Sequence, residues 1–444
     1  MATTQIISSL TSFRNPKRDK ESRRGRFGWY QYYAGFSPNF VQDALAFSSA
    51  KAGAAQILDP WNGSGTTTQV SARNGFDSIG FDLNPVMVIV AKARTLQPNV
   101  QPSMTSILEE ILVRAREIDQ DFEDDPLVNW LSVETSTWVR RIEVALQTIL
   151  IDPKKYARLA TLPSLENVSS LAAFFYVALF RSLREILKPF RSSNPTWIKG
   201  AASIEERVHI RRKDLISILR TQVANMARDM AVESLWVPAE RVPHIKLDVA
   251  SSLSLPLADR SVKAVITSPP YCTRIDYVVK TGPELALLGL GDRPAVHKLR
   301  DLMIGTPTIV KNSPAPSQKW GKACLGLISK VSRHQSKASR SYYLKTQIQY
   351  FDGLFKSLAE IDRTLAKSGE CFFVIQDSYY KEVRIDLAQI LKEMGNSLGW
   401  EHDLRRDFAS SRTMVGVNRG ALAYNNPRLA VESVLHFTKT RTER

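Results

Sequence analysis

The chain has 444 residues, 43% of them hydrophobic and 23% charged, a globular composition that excludes a fibrous or disordered protein and leaves apolar surface for a large core. Its 60 Lys and Arg against 44 Asp and Glu give a net charge of +16, which points to a polyanionic partner, most simply nucleic acid, with a solvated basic surface as the bland alternative. Three cysteines, Cys272, Cys324 and Cys371, stand far apart, so neither a disulfide framework nor a metal site is expected and a reducing compartment fits.

The chain opens Met1-Ala2-Thr3-Thr4 and turns basic without a long apolar stretch or a small-residue cleavage site, so a soluble, cytoplasmic protein is expected. The longest apolar run, residues 171–180, ends at Arg181 and is too short to span a bilayer. Residues 14–26 hold seven basic and two acidic side chains and read as a mobile arm, with a phosphate-contacting tail as the alternative. From Gln56 to Asp82, a strand, a Gly-rich turn, a helix and a second strand follow in quick order, the opening βαβ unit of a doubly wound sheet. Ile107, Leu108, Ile111, Leu112 and Ala115 then recur at the spacing of one helix face. Similar amphipathic stretches over 128–150, 168–187 and 204–232 predict an all-helical insertion. Short apolar strands resume near Asp248, at 255–257 and at 262–267. Residues 293–345 carry eleven Lys or Arg and one acid, Asp301; their Gly and Pro content argues against a rigid helix packed on the core. A helix over 351–365, a cap at Gly369, a strand over 371–376, a helix over 387–394 and a late edge strand at 434–437 complete the alternation of a parallel α/β sheet.

Two turns carry chemistry. Asp59-Pro60-Trp61-Asn62-Gly63-Ser64-Gly65-Thr66-Thr67 leaves a strand and opens a helix; its glycines allow close backbone approach and the helix start favours a negative group. No Lys follows the last Gly, so this is not a P-loop. Asp82 ends the next apolar strand, where an acid accepts hydrogen bonds from both hydroxyls of a ribose, so an adenosine-type cofactor is implied; an ordinary βα turn with a strand-end acid is the structural alternative. Ser268-Pro269-Pro270-Tyr271 ends an apolar strand, and two prolines fix the backbone and leave acceptors only. An exocyclic amine presents two N–H donors and needs such acceptors: the Ser268 hydroxyl and the Pro269 carbonyl can hold it, with Tyr271 stacked on the base. A bare Pro-Pro turn with a surface tyrosine is the alternative here.

In this order these stretches resemble the bacterial amino-directed DNA methyltransferases, which make N4-methylcytosine or N6-methyladenine. Residues 59–67 look like the family's cofactor loop (Asp59, Pro60, Gly63, Ser64, Gly65 and Thr66), 81–85 like its ribose-binding strand end (Asp82 and Leu83), and 268–271 like its catalytic loop. Tyr33, Phe36 and Ser37 resemble the segment covering the methionine end of the cofactor, Asp248 the acid that binds the adenine amine, and Arg412 through Glu432 to Lys439 the closing segment near the target base. The resemblance implies a Rossmann-like, seven-stranded methyltransferase sheet with a large all-helical insertion, S-adenosylmethionine as cofactor, double-stranded DNA as substrate, base flipping, direct transfer without a covalent enzyme intermediate, and possible pairing with a restriction nuclease. The chain then divides into 1–100 with the cofactor loop, a helical insertion over 101–243, and a catalytic part over 244–444 with a basic DNA-contacting insertion at 280–345. Lys330, Arg333, Lys337, Arg340 and Arg412 are the candidate DNA contacts. Serine in the first catalytic position favours cytosine N4 over adenine N6. An RNA base-amine methyltransferase and an inactive nucleic-acid-binding protein are the competing readings.

Overall fold

The computed structural model describes residues 13–18, 24–31, 35–120, 122–151, 165–191, 198–232, 242–272, 276–291, 293–306, 308–309, 314–336, 342–410 and 430–440. Its centre is a seven-stranded sheet in the order β3-β2-β1-β4-β5-β9-β8, built from β1 (Gln56–Asp59), β2 (Asp77–Asp82), β3 (Ile245–Val249), β4 (Val262–Thr267), β5 (Leu365–Gln376), β8 (Trp400–Ser410) and β9 (Ala430–Lys439). The strands from β3 to β5 pair in parallel, whereas β9 runs antiparallel to both of its neighbours. A separate hairpin joins β6 (Ser378–Tyr380) to β7 (Val383–Ile385). The order reverses between β1 and β4, and the crevice beyond the carboxyl ends of strands at such a reversal is where α/β sheets bind ligands.

The strands are apolar on both faces, as buried parallel strands must be, and alternate residues serve different layers. Ile57, Ala264, Ile266, Phe372, Val374 and Val434 face α1 (Pro38–Phe47) and α2 (Thr66–Arg73). Leu58, Val265, Phe373, Ile375 and Leu435 face a second core with α11 (Gly321–Arg333), α12 (Leu344–Thr364) and α13 (Leu387–Ser397). The α3 helix (Pro85–Arg94) carries the third core out to the helical insertion of α4 (Met104–Glu117), α5 (Val133–Leu150), α6 (Ser170–Ile186) and α7 (Arg212–Val232), which lies where the hydrophobic periodicity puts it. The short α8 (Tyr277–Lys280) and α9 (Gly282–Leu287) follow the catalytic loop. Arg140 of α5 ties α9 to the insertion, donating to the Ala286 carbonyl at 2.9 Å and the Leu287 carbonyl at 2.6 Å.

Five sequence expectations are corrected. The described part of the basic arm is pinned rather than mobile: Phe13 is buried against Phe40 and Phe372, Arg14 is paired with Asp43 at 2.6 Å, and Arg26 is fully buried. Residues 293–345 contain two helices, α10 (Arg293–Leu302) and α11; Cys324, Leu327, Ile328 and Val331 of α11 are buried in the core, a helical apolar face that the abundance of Lys and Arg obscures. Residues 434–437 are not an edge strand, because β8 lies outside β9; the mixed polarity of β8 hides it. Gly369 does not cap a helix but lies inside β5, and residues 255–257 form no strand.

Candidate active site

The β1–α2 turn is held by its own backbone and by the end of β2. Asn62 N–H donates to the Phe81 carbonyl at 2.9 Å and Gly65 N–H to the Asn62 carbonyl at 2.8 Å. Gly65 has φ +83°, and a Cβ there would stand 2.8 Å from Cβ of Ala91, so only glycine lets α2 start against α3. Gly80 is equally restricted, since a Cβ would lie 2.4 Å from the Asn62 side chain. Asp82 accepts from Gly63 N–H on Oδ2 at 2.9 Å and from Asn84 N–H on Oδ1 at 2.8 Å. One backbone donor per oxygen fixes the carboxylate and leaves acceptor capacity on both oxygens. Burial pushes its pKa up to about 6 against the pull of those two bonds. Asp59 lies beneath the turn, 1% exposed, accepting from Thr267 Oγ1 at 2.5 Å and Trp61 N–H at 3.1 Å; burial raises its pKa to about 7. Arg94, at the end of α3, supports the loop from behind by donating to the Ser64 carbonyl at 2.6 Å and the Phe27 carbonyl at 2.9 Å.

The catalytic-loop candidates leave β4 on the other side of the same crevice. Ser268 and Pro270 are half-buried and Pro269 is buried. Tyr350 of α12 donates its hydroxyl to the Pro270 carbonyl at 2.7 Å, anchoring the loop by a residue 80 positions away. Ser268 Oγ lies 3.3 Å from the Tyr271 hydroxyl, and the Glu432 carboxylate of β9 acts on that phenol electrostatically. Desolvation, with Glu432 adding to it, holds the Tyr271 phenol well above the ordinary tyrosine range, so it is a neutral donor at physiological pH.

One cleft, with about 890 Å³ of empty space counting its open mouth, brings these groups together. Phe36, Pro60, Gly63, Ser64, Thr66, Asp82 and Leu83 line it with Ser268, Pro269, Pro270 and Tyr271. Four expected cofactor residues stand back from it, Asp59 beneath the turn among them. Ser37 caps α1 by accepting from Asn39 N–H, Gly65 turns its Cα toward Ala91, and Asp248 accepts from the N–H groups of Leu165 and Val249, both at 2.8 Å, while Ala250 and Ser252 line the cleft beyond β3. Lys330 and Arg333 sit on the last turns of α11. Tyr33, Lys337, Arg340 and Arg412 lie outside the described residues. Sequence reasoning missed Tyr277, Met303 and Ile304 in the wall and the two anchors Tyr350 and Arg94. Their partners are distant in the chain, and no local spacing reports them; Asn84 alone left a signal, as a cap before Pro85 two residues after Asp82.

A sheet of six strands in one direction and one reversed, with a glycine-turn cleft at its reversal point, defines a Rossmann-like methyltransferase fold. The sequence is similar to the Type II methyltransferase M.BsoBI of Geobacillus stearothermophilus, 27% identical over 291 residues, which cover 62% of this chain and 55% of that protein. It is similar to M.AvaI of Nostoc sp., 24% over 397 residues, 84% of this chain and 79% of the relative, and to M.MvaI of Kocuria varians, 20% over 370 residues, 78% and 75%. The match thus spans little more than half of the Geobacillus relative and over three quarters of the Nostoc one. No protein-family model matches the chain. At this modest identity the relatives support a likeness to the Type II methyltransferases. Among the described residues, no helix is long and apolar enough to cross a membrane.

Proposed function

We propose that the chain methylates the exocyclic amine of a flipped base in double-stranded DNA, with cytosine N4 as the target and S-adenosylmethionine as the donor. The observation that carries this reading is the cleft in which the Pro-Pro loop, Ser268 to Tyr271, faces the glycine turn and Asp82. The cleft residues fit the cofactor. Asp82 offers charged acceptors for ribose hydroxyls, Ser64 and Thr66 stand at a helix start suited to a carboxylate, and Phe36 and Trp61 supply flat apolar walls. When bound, S-adenosylmethionine supplies an electrophilic methyl group. Ser268 Oγ and the Pro269 carbonyl then accept the two N–H bonds of the amine and turn its lone pair toward that methyl, and Tyr271 stacks on the base. Lys330 and Arg333 contact phosphate, and the same role is assigned to Lys337, Arg340 and Arg412. A companion nuclease is the expected partner, and the cytoplasm is where such an enzyme meets its DNA.

Adenine N6 is the second target, because the same acceptors suit either amine. The test is transfer of labelled methyl from S-adenosylmethionine to unmodified duplex DNA and, in parallel, to RNA. Label in DNA alone is expected; label in RNA alone would assign the cleft to RNA.

A further inference from the structure

Asn84 follows Asp82 by two residues and borders the cleft, yet it is only 1% exposed. Its N–H donates to Asp82 Oδ1 at 2.8 Å, and its Oδ1 accepts from Val86 N–H at 3.1 Å, which caps α3. With Oδ1 so committed, the amide can turn only its Nδ2 the other way, and that group donates to Thr281 Oγ1 at 2.9 Å, across 197 positions of chain. Thr281 joins α8 to α9 and is buried. Its hydroxyl accepts from Asn84 and stands 3.1 Å from the Val278 carbonyl and 3.3 Å from that of Tyr277. The Thr281 proton therefore points back into α8, the helix that carries Tyr277 into the cleft wall.

The same wall reaches the catalytic loop from its other end. Asp276 caps α8 by accepting from Val279 N–H at 3.0 Å and pairs with Arg300 of α10 at 2.7 Å. Beyond α10, Met303 and Ile304 line the cleft. Gly305 follows at φ +80°, where a Cβ would stand 3.4 Å from the Tyr271 carbonyl oxygen. The wall is thus joined to Asp82 through Asn84 and Thr281, and to Tyr271 through Gly305. Packing alone does not call for the polar joint: a buried amide and hydroxyl cost desolvation that their bond offsets, whereas two apolar side chains of the same shape would hold α3 to α9 without that cost.

We propose that Asn84 and Thr281 are positioning residues that couple occupancy of the cofactor end of the cleft to the wall beside the catalytic loop; this rests on the reading of the cleft as an S-adenosylmethionine site. A ribose on Asp82 restrains the carboxylate that already holds the Asn84 N–H, so the strand end and the Asn84 side chain lose freedom together. Through Thr281 the restraint reaches α8, and Tyr277 is set before a base enters. A wall ordered by the first ligand need not be ordered again by the second, which makes the two binding events cooperative.

The test is hydrogen–deuterium exchange of the full chain, with and without saturating S-adenosylmethionine, followed by mass spectrometry in the glycine turn (62–67) and in the wall (276–287). In the wild type the cofactor should protect both, slowing exchange in the wall by about fivefold or more, the low end of coupling between sites. Thr281→Val keeps the shape and removes the acceptor, and Asn84→Ser keeps a cap for α3 but is too short to reach Thr281. Each should retain protection of the turn and lose that of the wall, and Thr281→Ser, which keeps the hydroxyl, should behave as the wild type. A merely structural role would change exchange in the wall equally with and without cofactor. If one variant does not fold, the other decides. Wall protection that survives in a folded variant overturns the coupling, as does a wild type protected in the turn alone. Protection in neither region overturns instead the reading of the cleft as a cofactor site.

Discussion

The two sides of the cleft are fastened by different means. On the cofactor side, the backbone N–H groups of Asn62, Gly63 and Gly65 are held within a stretch of about two dozen residues by the Phe81 and Asn62 carbonyls and the Asp82 carboxylate, and Arg94 braces the turn through carbonyls. On the catalytic side, a side-chain hydroxyl does the fastening, from Tyr350 on α12 to the Pro270 carbonyl. A main-chain cradle presents a fixed shape to a ligand that is always the same. A loop held by side chains ties its geometry to elements that arrive late in the chain, and with them to the surface around the mouth. If this division is right, substitutions on the two sides must affect different measurements.

The largest effect is expected for Tyr271→Ala. Loss of base stacking, on the order of 1–3 kcal/mol, together with loss of the hydroxyl that bonds Ser268, should lower turnover by about a hundredfold or more and leave calorimetric affinity for S-adenosylmethionine nearly unchanged. A parallel loss of cofactor affinity would erase the distinction between the two sides. Asp82→Ala should do the reverse, weakening cofactor binding by roughly ten- to a hundredfold as charged hydrogen bonds worth about 1.5–3 kcal/mol are lost. Asp82→Asn, which keeps one acceptor for the turn, serves as the control for local collapse. Unchanged affinity in a folded Asp82→Ala variant would remove Asp82 from the cofactor site.

A smaller effect concerns the mouth. Replacing Lys330 and Arg333 with Gln should reduce the slope of log DNA affinity against log salt by about 1.8 if both touch phosphate, with cofactor affinity unaltered. An unchanged slope moves the DNA surface off α11. The smallest effect is on stability. The folded pKa of Asp59, raised by burial to about 7, lies above its ordinary value, so its contribution is full below about pH 4 and is lost as pH rises through about 7. Asp59→Asn removes that dependence. The melting temperature of the wild type, measured against this variant, should fall on the order of a few degrees between pH 4 and 8, and a constant difference would contradict the buried, uncharged state of Asp59 in the folded protein.

What could be read in the sequence follows the same division. The βαβ unit, the helical insertion and both loops were legible because each is a local pattern: Ile57 and Leu58 before a glycine turn, Asp82 at a strand end, Ser268 to Tyr271 after Val265 and Ile266. The pinned N-terminal segment was not, because Arg26 is buried by pairing with the carbonyls of Arg94 and Leu96, partners nearly seventy residues away. The α11 helix was masked because Lys322, Lys330 and Arg333 decorate the exposed side of a helix whose apolar side, Cys324 to Val331, packs in the core. β8 was missed because an outer strand alternates charge with half-buried residues and its pairing with β9 is set by the sheet. Tyr350 shows that the anchor of a catalytic loop comes from whichever helix topology places beside it.

The most direct test of the proposed chemistry is nucleoside mass spectrometry of plasmid DNA from cells expressing the wild type or Tyr271→Ala. N4-methylcytosine is expected with the wild type and should vanish in the variant. N6-methyladenine in its place would change the target base while keeping the site. DNA without a new methylated nucleoside, in cells holding folded wild-type protein, would contradict the assignment of the Ser268 to Tyr271 loop to amine methylation.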